Sequence, residues 1–286
     1  MATAKEIRAK IKSVQNTRKI TKAMEMVAAS KMRRAQDAVE ATRPYSDKLR
    51  EVVAHITNAH PEYRHAFMVE REVKRVGLVV ISTDRGLCGG LNVNLFKQVL
   101  LKIKEYKANG IEVDVLPIGA KAQALFRRIG GNVITSVTHM GDTPSYAQLR
   151  GAISQIVAAY EAGQIDRIEL ARNEFVNSMV QKPTIQQLVP LQLQQVEKLK
   201  HRWDYIYEPG SAEVLDATLR RYFAGLIVQA AIENVACEMA ARRIAMKNAT
   251  DNADGMIRNL KLVYNKARQA AITQEISEIV SGAAAV

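Results

Sequence analysis

The sequence predicts an α/β protein. Two long terminal helices pair antiparallel as a coiled coil around a layered α/β domain. Three observations carry this. Glycine is absent before Gly77, frequent up to Gly210, and afterwards present only at Gly225, Gly255 and Gly282. Glycine costs a helix roughly 1 kcal/mol against alanine and serves turns, so glycine-poor ends read as helices around a turn-rich middle. Residues 3–43 hold neither glycine nor proline, and residues 211–281 hold no proline. The middle alternates short β-branched runs with amphipathic stretches, the pattern of a layered domain with a partly parallel sheet. The predicted boundaries are 1–60, 61–210 and 211–286.

In the first helix, apolar residues recur at Ile7, Ile11, Val14, Ile20, Met24, Val27, Met32, Ala35 and Val39, mostly three or four apart. At 1.5 Å per residue this stretch is roughly 60 Å long. Pro44 is expected to kink or interrupt it. The stripe resumes through Leu49, Val52, Val53 and Ile56 before Pro61. In the last helix, Leu215, Leu219, Tyr222, Leu226, Ala230, Cys237, Ala241 and Ile244 share a face, which continues through Leu260, Val263, Ala267 and Ala270. Unbroken, it reaches roughly 105 Å. Residues 250–252 (TDN) and Gly255 are its weak points. Helices this long do not fit inside a 286-residue globule. One enters the middle domain and the other leaves it, so pairing has to be antiparallel. Ala28, Ala29, Ala236, Ala240 and Ala241 permit close backbone approach. Ordinary helices of a broken bundle are the alternative.

Within the middle, strands are expected at residues 75–83 (RVGLVVIST), 112–118, 133–138, 167–175 and 185–193. Helices are expected at 93–108, 121–129 and 145–162, the last capped by Thr143 and Pro144.

Composition excludes several classes. Apolar residues make 48% of the chain, too many for a disordered protein. Two cysteines, Cys88 and Cys237, cannot build a disulfide framework and point to a reducing compartment. No uncharged apolar run approaches the ~18–20 residues of a membrane span, and the N-terminus lacks a signal-peptide core. The net charge of +12 is uneven: residues 1–60 hold 13 basic and 6 acidic side chains, residues 61–210 hold 19 and 15, and residues 211–286 hold 9 and 8. The excess sits on the first helix, at Lys10, Lys12, Arg18, Lys19, Lys22, Lys31, Arg33 and Arg34. It reads as a nucleic-acid-binding arm, as a basic shaft facing an acidic protein collar, or as a solvated helix face. Stacking aromatics are absent there.

Signs of bond-making chemistry are few. The loop at residues 84–90 (DRGLCGG) lies between a strand and a helix, where Rossmann-like folds hold phosphate. It matches neither G-x-G-x-x-G nor G-x-x-x-x-G-K-[ST], so a tight turn leading into a helix is preferred to a nucleotide site. His55, His60, His65, His139 and His201 have no metal-ligand spacing, and no serine nucleophile elbow is present. Cys88 reads as a small packed residue, although Arg85 lies three positions away. Residues 276–286 (ISEIVSGAAAV) carry one charge, Glu278. A projecting apolar tip calls for a sleeve around it; a frayed tail is the alternative.

Three separated motifs carry a resemblance over the whole chain. Residues 7–36 (IRAKIKSVQNTRKITKAMEMVAASKMRRAQ), 82–92 (STDRGLCGGLN) and 272–285 (ITQEISEIVSGAAA) resemble the gamma subunit of the F-type ATP synthase in its bacterial form. In the last motif Thr273, Glu275, Glu278, Gly282 and Ala283 are in place, and residues 246–250 and 264–270 (YNKARQA) also match. The resemblance implies an antiparallel coiled coil of the termini plus a central Rossmann-like domain. It implies the central rotor stalk, turning inside a ring of three alpha and three beta subunits and resting on the membrane c-ring beside the epsilon subunit. It implies no cofactor, no metal, no nucleic-acid partner and no catalytic site in this chain. Met24, Arg33 and Arg34 are expected to face the acidic lever of beta. Arg268, Gln269, Thr273 and Glu275 are expected at a second beta contact. Tyr205, Tyr207 and Glu208, in residues 203–208 (WDYIYE), are expected in the foot that touches the c-ring and epsilon. The chain is expected at the cytoplasmic face of a bacterial inner membrane, peripheral and not inserted. No transit segment is expected before the first motif, which favours a bacterium over a mitochondrion. The cysteine-bearing insertion of the chloroplast redox switch is absent between Val196 and Gly210, so thiol regulation is not expected.

Overall fold

A computed structural model describes residues 4–59, 65–191, 208 and 210–284. The chain divides into two compact units, residues 29–241 and residues 1–28 with 242–286.

The larger unit is built on one five-stranded sheet. The strands are β1 (Arg75–Ile81), β2 (Glu112–Ile118), β3 (Asn132–Val133), β4 (Arg167–Phe175) and β5 (Gln181–Val189), in the order β3-β2-β1-β4-β5. The first four run parallel and β5 is antiparallel to β4. Three helices connect the parallel strands: α1 precedes them (Ala4–Ala59), and α2 (Leu91–Ala108), α3 (Ala120–Ile129) and α4 (Tyr146–Glu161) form the crossovers. The last helix, α5, spans Ser211–Ala284. The order 3-2-1-4 for the parallel strands is that of half a doubly wound fold, so the Rossmann-like expectation holds.

β1 shows why its sequence is apolar throughout. Leu78 and Val80 pack with Leu95, Val99, Ala122 and Phe126 of α2 and α3. Val79 and Ile81 face the other way, into a cluster with Leu149, Ile156 and Tyr160 of α4 and Leu219, Phe223 and Ile227 of α5. Successive strand residues point to opposite faces, and both faces are covered, so neither can be polar.

Five local expectations need correction. Pro44 does not interrupt α1, which runs unbroken from Ala4 to Ala59. Pro44 is exposed and so is Glu40, the residue whose carbonyl loses its donor, while Leu49, Val52 and Val53 beyond it pack into the core. Tertiary packing therefore outweighs the missing backbone bond. Residues 250–252 and Gly255 do not interrupt α5 either. Thr250 is buried and donates to the Met246 carbonyl at 2.9 Å, and its hydroxyl lies 2.8 Å from that of Thr21. The strand expected at 133–138 shrinks to two residues plus a single bridge between Ile118 and Val137. The Val115 and Pro117 carbonyls and the Gly119 N–H face this edge, so the Pro117 nitrogen does too, and it has no hydrogen to give. The last strand spans 181–189 rather than 185–193; it starts at a turn closed by Asn177 and stops before Pro190, with residues 192–193 outside the described residues. The cap of α4 is Ser145, whose N–H donates to Gln148 Oε1 at 3.0 Å, rather than Thr143 or Pro144.

By length and composition α5 contains a stretch apolar enough to cross a bilayer, once a charge or two is allowed; 61% of that stretch is buried inside the fold, as in the core helix of a soluble domain.

The base of α5 is tied down by charge. The His65 Nδ1 accepts from the Phe67 N–H at 3.1 Å, which leaves Nε2 protonated and donating to Asp216 Oδ1 at 2.9 Å. Arg220 donates to both Asp216 oxygens at 3.0 Å and pairs with Glu161 at 2.6 Å. Burial alone pushes the Asp216 carboxyl up, but the hydrogen bonds from His65 and Arg220 and the charge of the Arg220 guanidinium outweigh it and hold it below the usual range.

Two predictions follow from this packing. Pro44→Ala restores a backbone donor at an exposed position and is expected to stabilise the chain by about 1–3 kcal/mol in denaturant unfolding. Asp216→Asn tests the lowered carboxyl. A depressed acid stabilises the fold above its ordinary value near ~3.9 and loses that contribution as pH falls through its folded value. The melting temperature of the variant should lie below that of the wild type at pH 7, and the gap should close as both are acidified toward about pH 3.

Candidate functional site

The place where doubly wound folds bind ligands is the crevice outside the carboxyl ends of the strands, at the point where strand order reverses. Here that point lies between β1 and β4, at the loop 84–90. Its polar groups hold the loop itself. Asn92 Oδ1 accepts from the Thr83 N–H at 3.2 Å, and Asn92 Nδ2 donates to the Thr83 hydroxyl at 2.7 Å. Thr83 donates in turn to the Arg85 carbonyl at 2.6 Å. Leu87 and Gly89 take left-handed backbone angles, with φ of 65° and 59°. The Asp84 carboxylate accepts from the Ala120 N–H at 2.9 Å and the Met140 N–H at 3.2 Å. Ser82 Oγ accepts from the Ala122 N–H at 2.8 Å. The first turn of α3, a ready anion site in principle, is thus met by two side chains of the chain itself. Gly119 is required here: a Cβ would sit 2.3 Å from the Ser82 carbonyl oxygen.

The crevice is filled by α5. Cys237 and Ala241 pack on Cys88 and Leu91, with Phe175 beside them. Both cysteines are buried, and burial pushes the Cys237 thiol far above its ordinary value. Cys88 is therefore the packed residue its surroundings suggested. Among the described residues no group of three His, Cys, Asp or Glu side chains could hold a metal ion.

The expected contact residues lie elsewhere, on helix surfaces. In the smaller unit, α1 and α5 pair antiparallel. The pairing is marked by Thr21 with Thr250 and by Arg18 Nε, 2.7 Å from Asp254 Oδ1. Extended along the helices, this register sets Ala4 opposite roughly residue 268 of α5. Arg268, Gln269, Thr273 and Glu275 lie at or past that point, and every one is exposed. So are Ile272, Ile276, Ile279 and Val280, which recur at helical spacing and form an uncovered apolar stripe. Met24 is half-buried opposite the region of Lys247, roughly 30 Å along the helix from Arg268 at 1.5 Å per residue, so these two are not brought together. In the larger unit, Arg33 and Arg34 are both exposed on α1, next to Lys31, whose Nζ lies 2.5 Å from Asp142 Oδ2. Glu208 is exposed, whereas Tyr205 and Tyr207 lie outside the described residues.

Sequence reasoning missed the side chains that join α5 to β4, Arg172 with Glu233 and Asn173 with Asn234. No spacing rule links a strand to a helix some sixty residues on. It also counted Thr250 among the weak points of α5, whereas its buried hydroxyl bonds to the Met246 carbonyl and meets that of Thr21.

Residues 3–286 match the ATP synthase family. The ATP synthase gamma chain of Nitrosococcus oceani is 55% identical over 289 residues, covering 100% of both chains. Among solved structures, the central stalk and c-ring assembly of Tetrahymena thermophila mitochondrial ATP synthase contains a chain with 25% identity and a TM-score of 0.60, covering 80% of this chain and 99% of that one. The rotor of the Euglena gracilis mitochondrial enzyme contains one at 22% identity and a TM-score of 0.65, covering 94% and 98%, which bears on the fold alone. None of this supports a nucleic-acid-binding protein. A full-length match to one family, a bacterial relative identical at more than half its positions, and a shared fold of terminal helices around a small parallel sheet together place the chain in the ATP synthase gamma chain family.

Proposed function

We propose that the chain acts mechanically, as the central rotor of a bacterial ATP synthase that couples rotation of the membrane c-ring to conformational cycling of three beta subunits. The observation that carries this is a pair of terminal helices, of 56 and 74 residues, that enter and leave one small domain whose ligand crevice is filled by the second helix. Such a chain has an axis to turn, and the crevice at its strand ends is taken by its own helix. Catalysis then belongs to the beta subunits, with this chain as a non-catalytic member of the complex.

The energetics favour a stiff element. One charge crossing the membrane is worth about 2.3 kcal/mol per 100 mV, so several crossings have to be pooled for each ATP. A continuous helix pair can hold torque between crossings. Its faces differ around the axis, so each orientation presents different contacts to three surrounding subunits and biases each toward a different conformation. The exposed stripe at Ile272, Ile276, Ile279 and Val280 suits a bearing inside a ring of three alpha and three beta subunits. Apolar contacts are non-directional and are not broken one by one as a surface turns. Arg268, Gln269, Thr273 and Glu275 stand on the same exposed turns and would touch a beta loop. Met24, Arg33 and Arg34 would face the acidic lever of beta. Tyr205, Tyr207 and Glu208 would form the foot on the c-ring and epsilon, at the cytoplasmic face of the inner membrane.

Charge reversal at Lys22, Arg33 and Arg34 together is expected to lower proton-driven ATP synthesis several-fold in membrane vesicles. Synthesis equal to the wild type would remove the charge argument. Purification through a tag on this chain is expected to yield two larger nucleotide-binding subunits in threefold excess, by quantitative gel densitometry. Recovery of the chain alone from intact membranes would count against the rotor.

A further inference from the structure

The contact between α5 and the carboxyl end of β4 is polar in a place where an apolar one would serve stability at least as well. Arg172 of β4 pairs with Glu233 of α5, and their side chains are 19% and 13% exposed. The second oxygen of Glu233 accepts from the Phe175 N–H at 3.0 Å. Asn173 Nδ2 donates to Asn234 Oδ1 at 3.2 Å, with the two residues 0% and 3% exposed. The Cys237 thiol donates to the Asn173 carbonyl at 3.5 Å. Asn173 Oδ1 is buried without a hydrogen-bond partner. Buried polar groups of this kind cost desolvation and gain little net stability; their best-attested use is to fix a register.

The geometry here is that of a socket. Positions 233, 234 and 237 fall within about 100° of arc on α5, at a helical turn of 3.6 residues. They meet consecutive residues of one strand end, in the crevice a doubly wound fold uses for ligands. The surrounding apolar cluster, from Leu215 to Ala231 on α5, seats one face of the helix on the sheet through non-directional contacts that tolerate small turns about the helix axis. The hydrogen bonds are directional and narrow that angle further, because turning α5 by one residue breaks all of them. We propose that Arg172, Asn173, Glu233 and Asn234 are positioning residues that lock α5 at one angle in the α/β domain, so that torque on the domain reaches the helix without slip. This rests on the rotor reading above.

The test uses the assembled complex in lipid vesicles and on a surface for single-molecule rotation. Arg172→Met with Glu233→Met removes both charges together and leaves no unpaired ion. The double variant is expected to melt within a few degrees of the wild type and to keep its ATP hydrolysis. Protons pumped per ATP hydrolysed should fall at least twofold. The angular variance of a probe fixed to the α/β domain, with the alpha–beta ring held, should rise at least twofold. The reversed pair, Arg172→Glu with Glu233→Arg, should recover part of both. Variance and pumping equal to the wild type would overturn the lock. So would a double variant that fails to fold, because the pair would then be a determinant of folding rather than of angle. Glu233→Asp, which keeps the charge and shortens its reach, supplies a second measurement: raised variance supports the lock and unchanged variance opposes it. A wild-type probe that does not turn during ATP hydrolysis would overturn the rotor reading and the lock with it, which separates that failure from failure of the lock alone.

Discussion

The rest of the larger unit depends on the burial of α5 against the sheet. Leu215, Leu219, Phe223 and Ile227 stand at successive turns and are almost wholly buried. They meet Val79 and Ile81 of β1 and Ile168 and Leu170 of β4 in one cluster. A fully buried side chain of this type contributes about 1.5–3 kcal/mol, so a few turns suffice to hold the helix. Helix growth is cooperative once a turn is nucleated. The buried turns therefore seed a helix that continues through Ala284, where every described side chain past Arg268 is exposed. Among the described residues none covers these side chains.

Much of the fold was legible because its causes are local or periodic. Glycine-poor ends marked both long helices, and the apolar run at 76–81 marked a strand covered on two faces. Two of the errors share a physical cause: a residue's local preference was outweighed by what packs around it. Pro44 weakens one helical turn, yet Leu49, Val52 and Val53 beyond it are anchored in the core. Thr250 is a poor helix former in isolation, but here its hydroxyl bonds back to Met246 and across to Thr21. The strand at 133–138 failed for a reason that was in the sequence but on a different element, because the missing donor belongs to Pro117 of β2. Reading it required the pairing register.

The candidate site was legible in a different sense. The first helix carries a surplus of basic side chains, and Arg33 and Arg34 are exposed on it as that pattern suggests. The apolar stripe near the end of α5 was visible as a near-absence of charge. What the sequence could not say is which polar residues join the helix to the sheet. Arg172, Asn173, Glu233 and Asn234 are ordinary residues for a strand end and a helix face, with no motif between them. Their pairing is set by where α5 crosses β4, and that crossing is fixed by the apolar cluster. Tertiary placement thus precedes the polar pattern and cannot be inferred from it.

The same crossing explains why a domain with the strand order of a nucleotide-binding fold need not bind one. In such folds the strand ends, the glycine-rich turn and the helix N-terminus together present backbone N–H groups to a phosphate. Here Asp84 and Ser82 meet the start of α3, and Cys237 and Ala241 stand over Cys88 and Leu91. An acidic side chain beside the N–H groups satisfies them and also repels an incoming anion. The architecture keeps its crossover helices and its strand order, which are what pack the core. The crevice changes occupant, from a diffusible ligand to a helix of the same chain. A ligand can leave its crevice, but a covalently continuous helix cannot, and a site that never empties is suited to transmitting force.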